Sequence, residues 1–322
     1  MTWVVTRARH PLLLLAAVTF VSGACSAFLV NDTVCLVLTP LVFELVRHLR
    51  RNPIPYLLAV AMASNAGSTA TITGNPQNII IGSLSHIPYG EFARALSPIA
   101  LIGLVLTVAL LALFFRQEFW TRERLPREEL TVTYSLPLVV KSVVVTLLMV
   151  VFFFLGQPAA KVAILAGAIL LLTRRLKAAK VYREIDWSLL VMFCGLFIVV
   201  AGLEKAVLMP DILAQVRAMH LENSSALTGI TAVLSNVVSN VPAVLVLKPF
   251  IKQLTDQHHA WLVIAIASTL AGNFTIAGSV ANLIVVQRAR AQNVEISFWT
   301  YFKVGAPLTV LTLLVGVGWL SR

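Results

Sequence analysis

The chain has 322 residues, 58% of them hydrophobic and only 12% charged, with a formal net charge of +11 at pH 7 and a mean hydropathy of +0.88. So apolar a composition cannot cover a water-soluble fold and marks an all-α polytopic membrane protein. The basic residues sit in short connections between apolar runs, as in cytoplasmic loops, so the expected surroundings are a lipid bilayer and not nucleic acid.

In chain order, Arg7 and Arg9 precede the first apolar stretch, and Arg47, Arg50 and Arg51 follow it, which puts both of its ends on the cytoplasmic side. The stretch, 11–46, contains a polar break at Asn31-Asp32-Thr33. Two full crossings would leave each leg only about 18 residues with polar atoms at the turn, so a re-entrant hairpin is favoured. A segment at 56–82 then crosses outward and 97–115 returns. The linker 116–133 carries Arg116, Arg122, Arg124 and Arg127 on the inside. Spans at 136–155 and 162–173 lead to the basic loop of Arg174, Arg175, Lys177, Lys180 and Arg183, and 186–203 exits. A second hairpin at 226–251 opens from the outer side, 261–286 returns to Arg288 and Arg290, and 305–320 leaves the C-terminus outside. The expectation is seven crossings, two opposed hairpins, a cytoplasmic N-terminus and an inner-membrane location.

Two halves of the chain repeat one another. Thr71-Ile72-Thr73-Gly74-Asn75-Pro76-Gln77-Asn78 lines up with Thr275-Ile276-Ala277-Gly278-Ser279-Val280-Ala281-Asn282, and Asn31-Asp32-Thr33 with Asn240-Val241-Pro242. Helix-breaking polar segments at matching places are the mark of an inverted-repeat transporter whose site lies between the repeats. The first repeat is assigned to 1–115 and the second to 134–322. Residues 134–220 before the second hairpin hold two long spans and a shorter one, whereas ten residues precede the first hairpin. By this symmetry the chain is expected to lack three N-terminal helices.

Gly74 and Pro76 would free backbone groups at mid-membrane depth, and Thr69, Thr71, Thr73, Asn75 and Asn78 cluster hydroxyls and amides beside them. Oxygen ligands suit a hard cation such as sodium, while half-helix N-termini suit an anion. The candidate binding residues are Asn31, Asp32, Thr33, Asn65, Gly67, Thr69, Thr73, Gly74, Asn75, Pro76 and Asn78 in the first half. In the second they are Ser239, Asn240, Thr275, Gly278, Ser279 and Asn282, with Asn236 beside them. Close helix packing by small residues is the competing explanation; duplication of the cluster favours binding. Asp32, a carboxylate at a hairpin tip, would couple a proton or cation to transport, or else reach an aqueous vestibule or cap the second hairpin leg. Lys248 would attract an anion or snorkel to the interface. Cys25, Cys35 and Cys194 are read as packing residues, and His258-His259 is not a metal motif by itself. No cofactor is called for beyond a sodium ion.

The run Ser64-Asn65-Ala66-Gly67-Ser68-Thr69-Ala70-Thr71-Ile72-Thr73-Gly74-Asn75-Pro76-Gln77-Asn78 resembles the broken-helix motif of the large ion-transporter superfamily, and Asn31-Asp32-Thr33 resembles its hairpin tip. That superfamily contains divalent-anion/sodium symporters, citrate carriers, bacterial arsenite efflux permeases and NhaD-type sodium/proton antiporters; the Gly-Asn-Pro-Gln-Asn run looks nearest to bacterial permeases classed as anion transporters. The resemblance implies a homodimer, with a scaffold and a moving unit of hairpins and broken helices. It also implies gradient-driven transport of a small inorganic or carboxylate anion. A sodium/proton antiporter and a structural membrane subunit are the alternatives. No catalytic motif of the hydrolase, metalloprotease, P-loop or dinucleotide-binding type occurs, so an enzyme is not expected.

Overall fold

The computed structural model describes residues 10–121, 125, 135–172 and 221–321, with scattered positions between 187 and 202. The basic loop of Arg174 to Arg183 and most of the 186–203 span lie outside the described residues. All the described regular structure is helical. In chain order it comprises α1 (Pro11–Phe28), α2 (Asn31–His48), α3 (Pro53–Ser68), α4 (Pro76–Ser85), α5 (Tyr89–Phe114), α6 (Arg116–Phe119), α7 (Leu136–Phe154) and α8 (Ala159–Leu171). After the undescribed stretch come α9 (Ser224–Val238), α10 (Asn240–Ile251), α11 (Gln257–Ala271), α12 (Val280–Arg290) and α13 (Phe298–Leu320). Short 3-10 turns, Ile72–Gly74 and Ile276–Gly278, lie between α3 and α4 and between α11 and α12. Among the described residues, α1, α5, α7 and α13 are long and apolar enough to cross a membrane.

Local chemistry sets the element limits. Asn52 and Asp256 cap α3 and α11, their side chains accepting from the Ile54 and His259 amides at 3.1 and 2.9 Å. Pro53 and Pro76 sit in the first turns of α3 and α4, where a missing amide costs nothing. Prolines inside helices recur in pairs, Pro40 in α2 with Pro249 in α10 and Pro98 in α5 with Pro307 in α13.

α1 packs on α3 as α9 packs on α11, while α2 lies against α12 and α10 against α4. The long helices α5 and α13 contact one another between the two sets. α3 is buried all along its length from Pro55 to Ser68, and α11 from Ala260 to Ala271, so these two helices form the centre of the molecule. By contrast α7 buries only Val145 and Phe153 and turns an apolar face outward, as a lipid-facing helix does.

The open ends of the two hairpins are fastened to opposite ends of α5. Just past the C-terminus of α5, Glu118 pairs with Arg51 at 3.2 Å and accepts from the Tyr56 hydroxyl at 3.2 Å, and the Thr121 carbonyl meets His10 Nε2 at 3.1 Å. At the N-terminus of α5, Glu91 faces His258 at 3.3 Å, next to His259, whose Nε2 lies 2.8 Å from Ser224 Oγ at the start of α9.

Several limits differ from the sequence expectation. The first hairpin breaks at Leu29-Val30, with Asn31 already the first residue of α2, because two extended residues suffice to reverse the chain. α5 and α13 start earlier than 97 and 305, their first turns continuing through residues too polar for an apolar run to include, and 116–133 begins with the short helix α6.

Candidate functional site

Each broken helix is closed on itself by the same two bonds. Asn78 Nδ2 donates to the carbonyls of Ser68 and Thr71 at 3.2 and 3.0 Å, satisfying groups that the end of α3 leaves free. In the other half Asn282 Nδ2 donates to the carbonyls of Gly272 and Thr275 at 2.7 and 3.0 Å. Asn75 caps α4, its Oδ1 accepting from the Asn78 amide at 2.8 Å. A Cβ on Gly74 would run into the Ser68 carbonyl, so only glycine lets the chain pass there.

The two breaks also bond each other. Asn65 Nδ2 donates to Asn273 Oδ1 at 2.9 Å and Asn282 Oδ1 at 3.1 Å, and Ser279 Oγ donates to Asn65 Oδ1 at 3.0 Å. In the reverse direction Asn75 Nδ2 and Gln77 Nε2 each donate to Thr269 Oγ1 at 3.2 Å. The first hairpin tip joins through Asn31 Nδ2, which donates to Asn65 Oδ1 at 3.0 Å. Asn65, Asn75, Asn78, Asn273 and Asn282 are all essentially fully buried, where unpaired amides would be costly. Asn65 and Thr269 each stand twelve residues into their helices, about 18 Å from the start of each.

A cavity of about 170 Å³ opens beside this cluster, lined by Asn31 and Asp32, by Pro76 and Gln77, by Val238 to Pro242, and by Ser279 and Val280. Asn31, Pro76, Asn240 and Val280 are the first residues of α2, α4, α10 and α12. Four helix N-termini therefore meet at one cavity, and each carries partial positive charge. Among the described residues no Lys, Arg or His lines it; the charged side chain present is the Asp32 carboxylate. At the second tip Ser239 has φ 77° and ψ 161°, a conformation that is almost exclusive to glycine.

The predicted residues separate into groups. Asn31, Asp32, Pro76, Ser239, Asn240 and Ser279 line the cavity. Asn65, Asn75, Asn78 and Asn282 form the network behind it, and Gly74, Gly278 and the Thr275 carbonyl shape the breaks. The remaining four are elsewhere. Thr33 is exposed on α2. Gly67 provides a close backbone crossing with Gly23 of α1. Thr69 bonds back to the Asn65 carbonyl at 3.2 Å, and Thr73 meets the Tyr89 hydroxyl at 2.8 Å. Asn236 Nδ2 donates to the carbonyls of Ala232 and Ala271 at 3.0 Å, tying the second tip to α11. Lys248 lies by a separate, mostly apolar cavity with Ile79, Ile80 and Leu245. Thr269, Asn273 and Gln77 were missed; continuing the repeat alignment back from Thr275 would have paired Asn65 with Thr269 and Thr69 with Asn273.

The citrate transporter family (CitMHS) matches residues 1–271. The 46 kDa membrane protein of Mycobacterium leprae is 29% identical over 333 residues, 97% of this chain and 77% of that protein. The silicon efflux transporter LSI3 of Oryza sativa subsp. japonica is 28% identical over 377 residues, 94% of this chain and 78% of its own. The putative transporter arsB of Dictyostelium discoideum is 23% identical over 417 residues, covering 93% and 74%. A polytopic helical chain matched by that family over most of its length is an integral membrane transporter, and it belongs to the citrate transporter family.

Proposed function

We propose that the protein is a secondary active transporter of a small anion or oxyacid, which it binds in the cavity between the two hairpin tips. The observation that carries this is the convergence of four helix N-termini on one cavity, an arrangement suited to carboxylate or other oxygen-rich solutes without any basic side chain. The family is described as citrate transporters and one relative is named a silicon efflux transporter, both oxygen-rich solutes, which supports this reading.

In this reading α1 to α5 and α9 to α13 are inverted repeats with opposed re-entrant hairpins, the N-terminus cytoplasmic and the C-terminus outside. The matched packing of α1 on α3 and α9 on α11, and the fastening of the hairpins to opposite ends of α5, support it. Transport is by alternating access, driven by a sodium or proton gradient. Asp32 in the cavity favours a second reading, a sodium/proton antiporter, in which the carboxylate itself carries the exchanged ion.

Flux in proteoliposomes of the purified chain tests both. Sodium and proton gradients are imposed separately with citrate, silicic acid and arsenite as solutes. Solute flux driven by either gradient supports the first reading; sodium/proton exchange without solute, lost in Asp32→Asn, supports the second. Neither flux from a well-folded chain would overturn both.

A further inference from the structure

Apart from the solute cavity, a second space of about 380 Å³ lies along α4 and α10. Ile79, Ile80 and Leu84 of α4 and Leu245 of α10 wall it, with Phe197 from the stretch after α8. It exceeds the roughly 30 Å³ share of one water more than tenfold, and so apolar a lining offers water few partners. Ile79 and Phe197 are 40% and 49% exposed, so the space is open to what surrounds the chain.

Its polar lining is gathered at one end. α4 and α10 both begin at the solute cavity and pack side by side, Ile80 and Leu84 against Val241 and Leu245. Ile79, Ile80 and Leu245 come three to five residues beyond the first of each helix. Ser83 and Lys248 come seven and eight residues beyond it, about 10–12 Å along the axis. Lys248 stands in the last turn of α10, near the open end of the hairpin. In the other half the repeat spacing puts Thr39 in its place, buried and donating to the Cys35 carbonyl at 2.6 Å. The repeated fold thus does not require a cation at this position.

We propose that this space binds one anionic phospholipid of the bilayer, with an acyl chain against α4 and α10 and the phosphate on the Lys248 ammonium. This rests on the reading of α9 and α10 as a re-entrant hairpin, which turns near the middle of the bilayer. Lys248, about 12 Å from that turn, then lies near the edge of a hydrocarbon core about 15 Å in half-thickness, and its side chain spans the rest of the way to the phosphates. Lys248 also interacts elsewhere in the protein, but an ammonium has three N–H donors and can serve a phosphate as well. Ser83 Oγ donates to the Ile79 carbonyl at 3.0 Å, so recognition of the phosphate falls to Lys248. The lipid bears on two of the helices whose first residues line the solute cavity.

The test counts lipids held by the purified full-length chain, using native mass spectrometry from micelles that contain equal amounts of phosphatidylglycerol and phosphatidylcholine with the same acyl chains. Basic loops attract anionic lipid too, so the readout is a difference between variants. The parent is expected to retain one phosphatidylglycerol more than Lys248→Met. Lys248→Arg and Lys161→Met, the latter an exposed lysine at the start of α8, are expected to match the parent. Recovery by arginine separates loss of the charge from loss of the fold. An unchanged count in Lys248→Met, or loss there of phosphatidylcholine in place of phosphatidylglycerol, would overturn the inference. Displacement of the lipid by an equal concentration of glycerol phosphate would also overturn it, as the mark of a plain phosphate site. Solute flux of the parent keeps the two readings apart. An unchanged lipid count with gradient-driven flux overturns this inference alone, and the expected lipid loss without any flux overturns the transporter reading alone.

Discussion

Asn65 of α3 donates to Asn282 Oδ1 of α12 at 3.1 Å, so the amide that closes the second broken helix is held in place by a side chain from the first. The same nitrogen reaches Asn273 Oδ1 at 2.9 Å, and the same residue's Oδ1 accepts from Asn31 and Ser279. Neither break is complete without the other half, and a hairpin tip is tied into the same residue.

Replacing Asn65 by Ala removes all four bonds at once and leaves several buried polar groups unpaired. At about 1–3 kcal/mol for each, and without full additivity, the loss comes to roughly 2–5 kcal/mol. Thermal unfolding in detergent is expected to show a large drop in Tm. Parental stability in Asn65→Ala would mean that the cross-connection is incidental.

At Gly74 an added methyl meets the Ser68 backbone carbonyl, which has nowhere to go, whereas at Gly167 of α8 it meets nothing within 4 Å. Gly74→Ala is therefore expected to lower transport more than tenfold, and Gly167→Ala to leave rate and stability at parental values. Initial-rate flux at matched protein density in proteoliposomes distinguishes the two.

Ser239 holds a backbone conformation at the second tip, φ 77° and ψ 161°, that costs a residue with a Cβ about 1–3 kcal/mol. Ser239→Gly is expected to raise stability by about 1 kcal/mol and Ser239→Ala to give no such gain, as measured by unfolding. Equal effects of the two substitutions would show that the tip is not strained.

The pairing of Arg51 with Glu118, whose side chains are 15% and 13% exposed, fastens the open end of the first hairpin to the segment after α5. Removing one partner from so enclosed a pair leaves a stranded charge. Glu118→Gln is expected to destabilise by about 2 kcal/mol, and adding Arg51→Met should recover much of that. A double-mutant cycle with no coupling would contradict this.

Much of this was legible in the sequence. The repeat of asparagine, glycine and threonine located both broken helices, since Gly74, Pro76 and Gly278 fall within polar clusters at matching places in two long apolar runs, whereas prolines such as Pro98 and Pro307, away from such clusters, stay inside continuous helices. What the sequence did not disclose is non-local. The reversal at Leu29-Val30 occurs between two apolar residues that carry no turn signal, and the break was placed instead at the polar residues that follow. Asn65 was named as a candidate, but nothing near it in sequence indicates that its partners are Asn273 and Asn282, because that contact exists only when two distant helices cross at the centre. Thr33 was counted with the tip because it follows Asn31 and Asp32, yet helical rotation carries it away from the cavity.

The central claim is that solute passes through the cavity between the hairpin tips, and filling that cavity tests it most directly. Val280 lines it and is 41% exposed, while Val310 on α13 is 50% exposed and does not line it. Gradient-driven flux is measured for Val280→Trp and Val310→Trp after both are shown to elute as the parent does. The account predicts flux lost in Val280→Trp and kept in Val310→Trp; parental flux in Val280→Trp would contradict it.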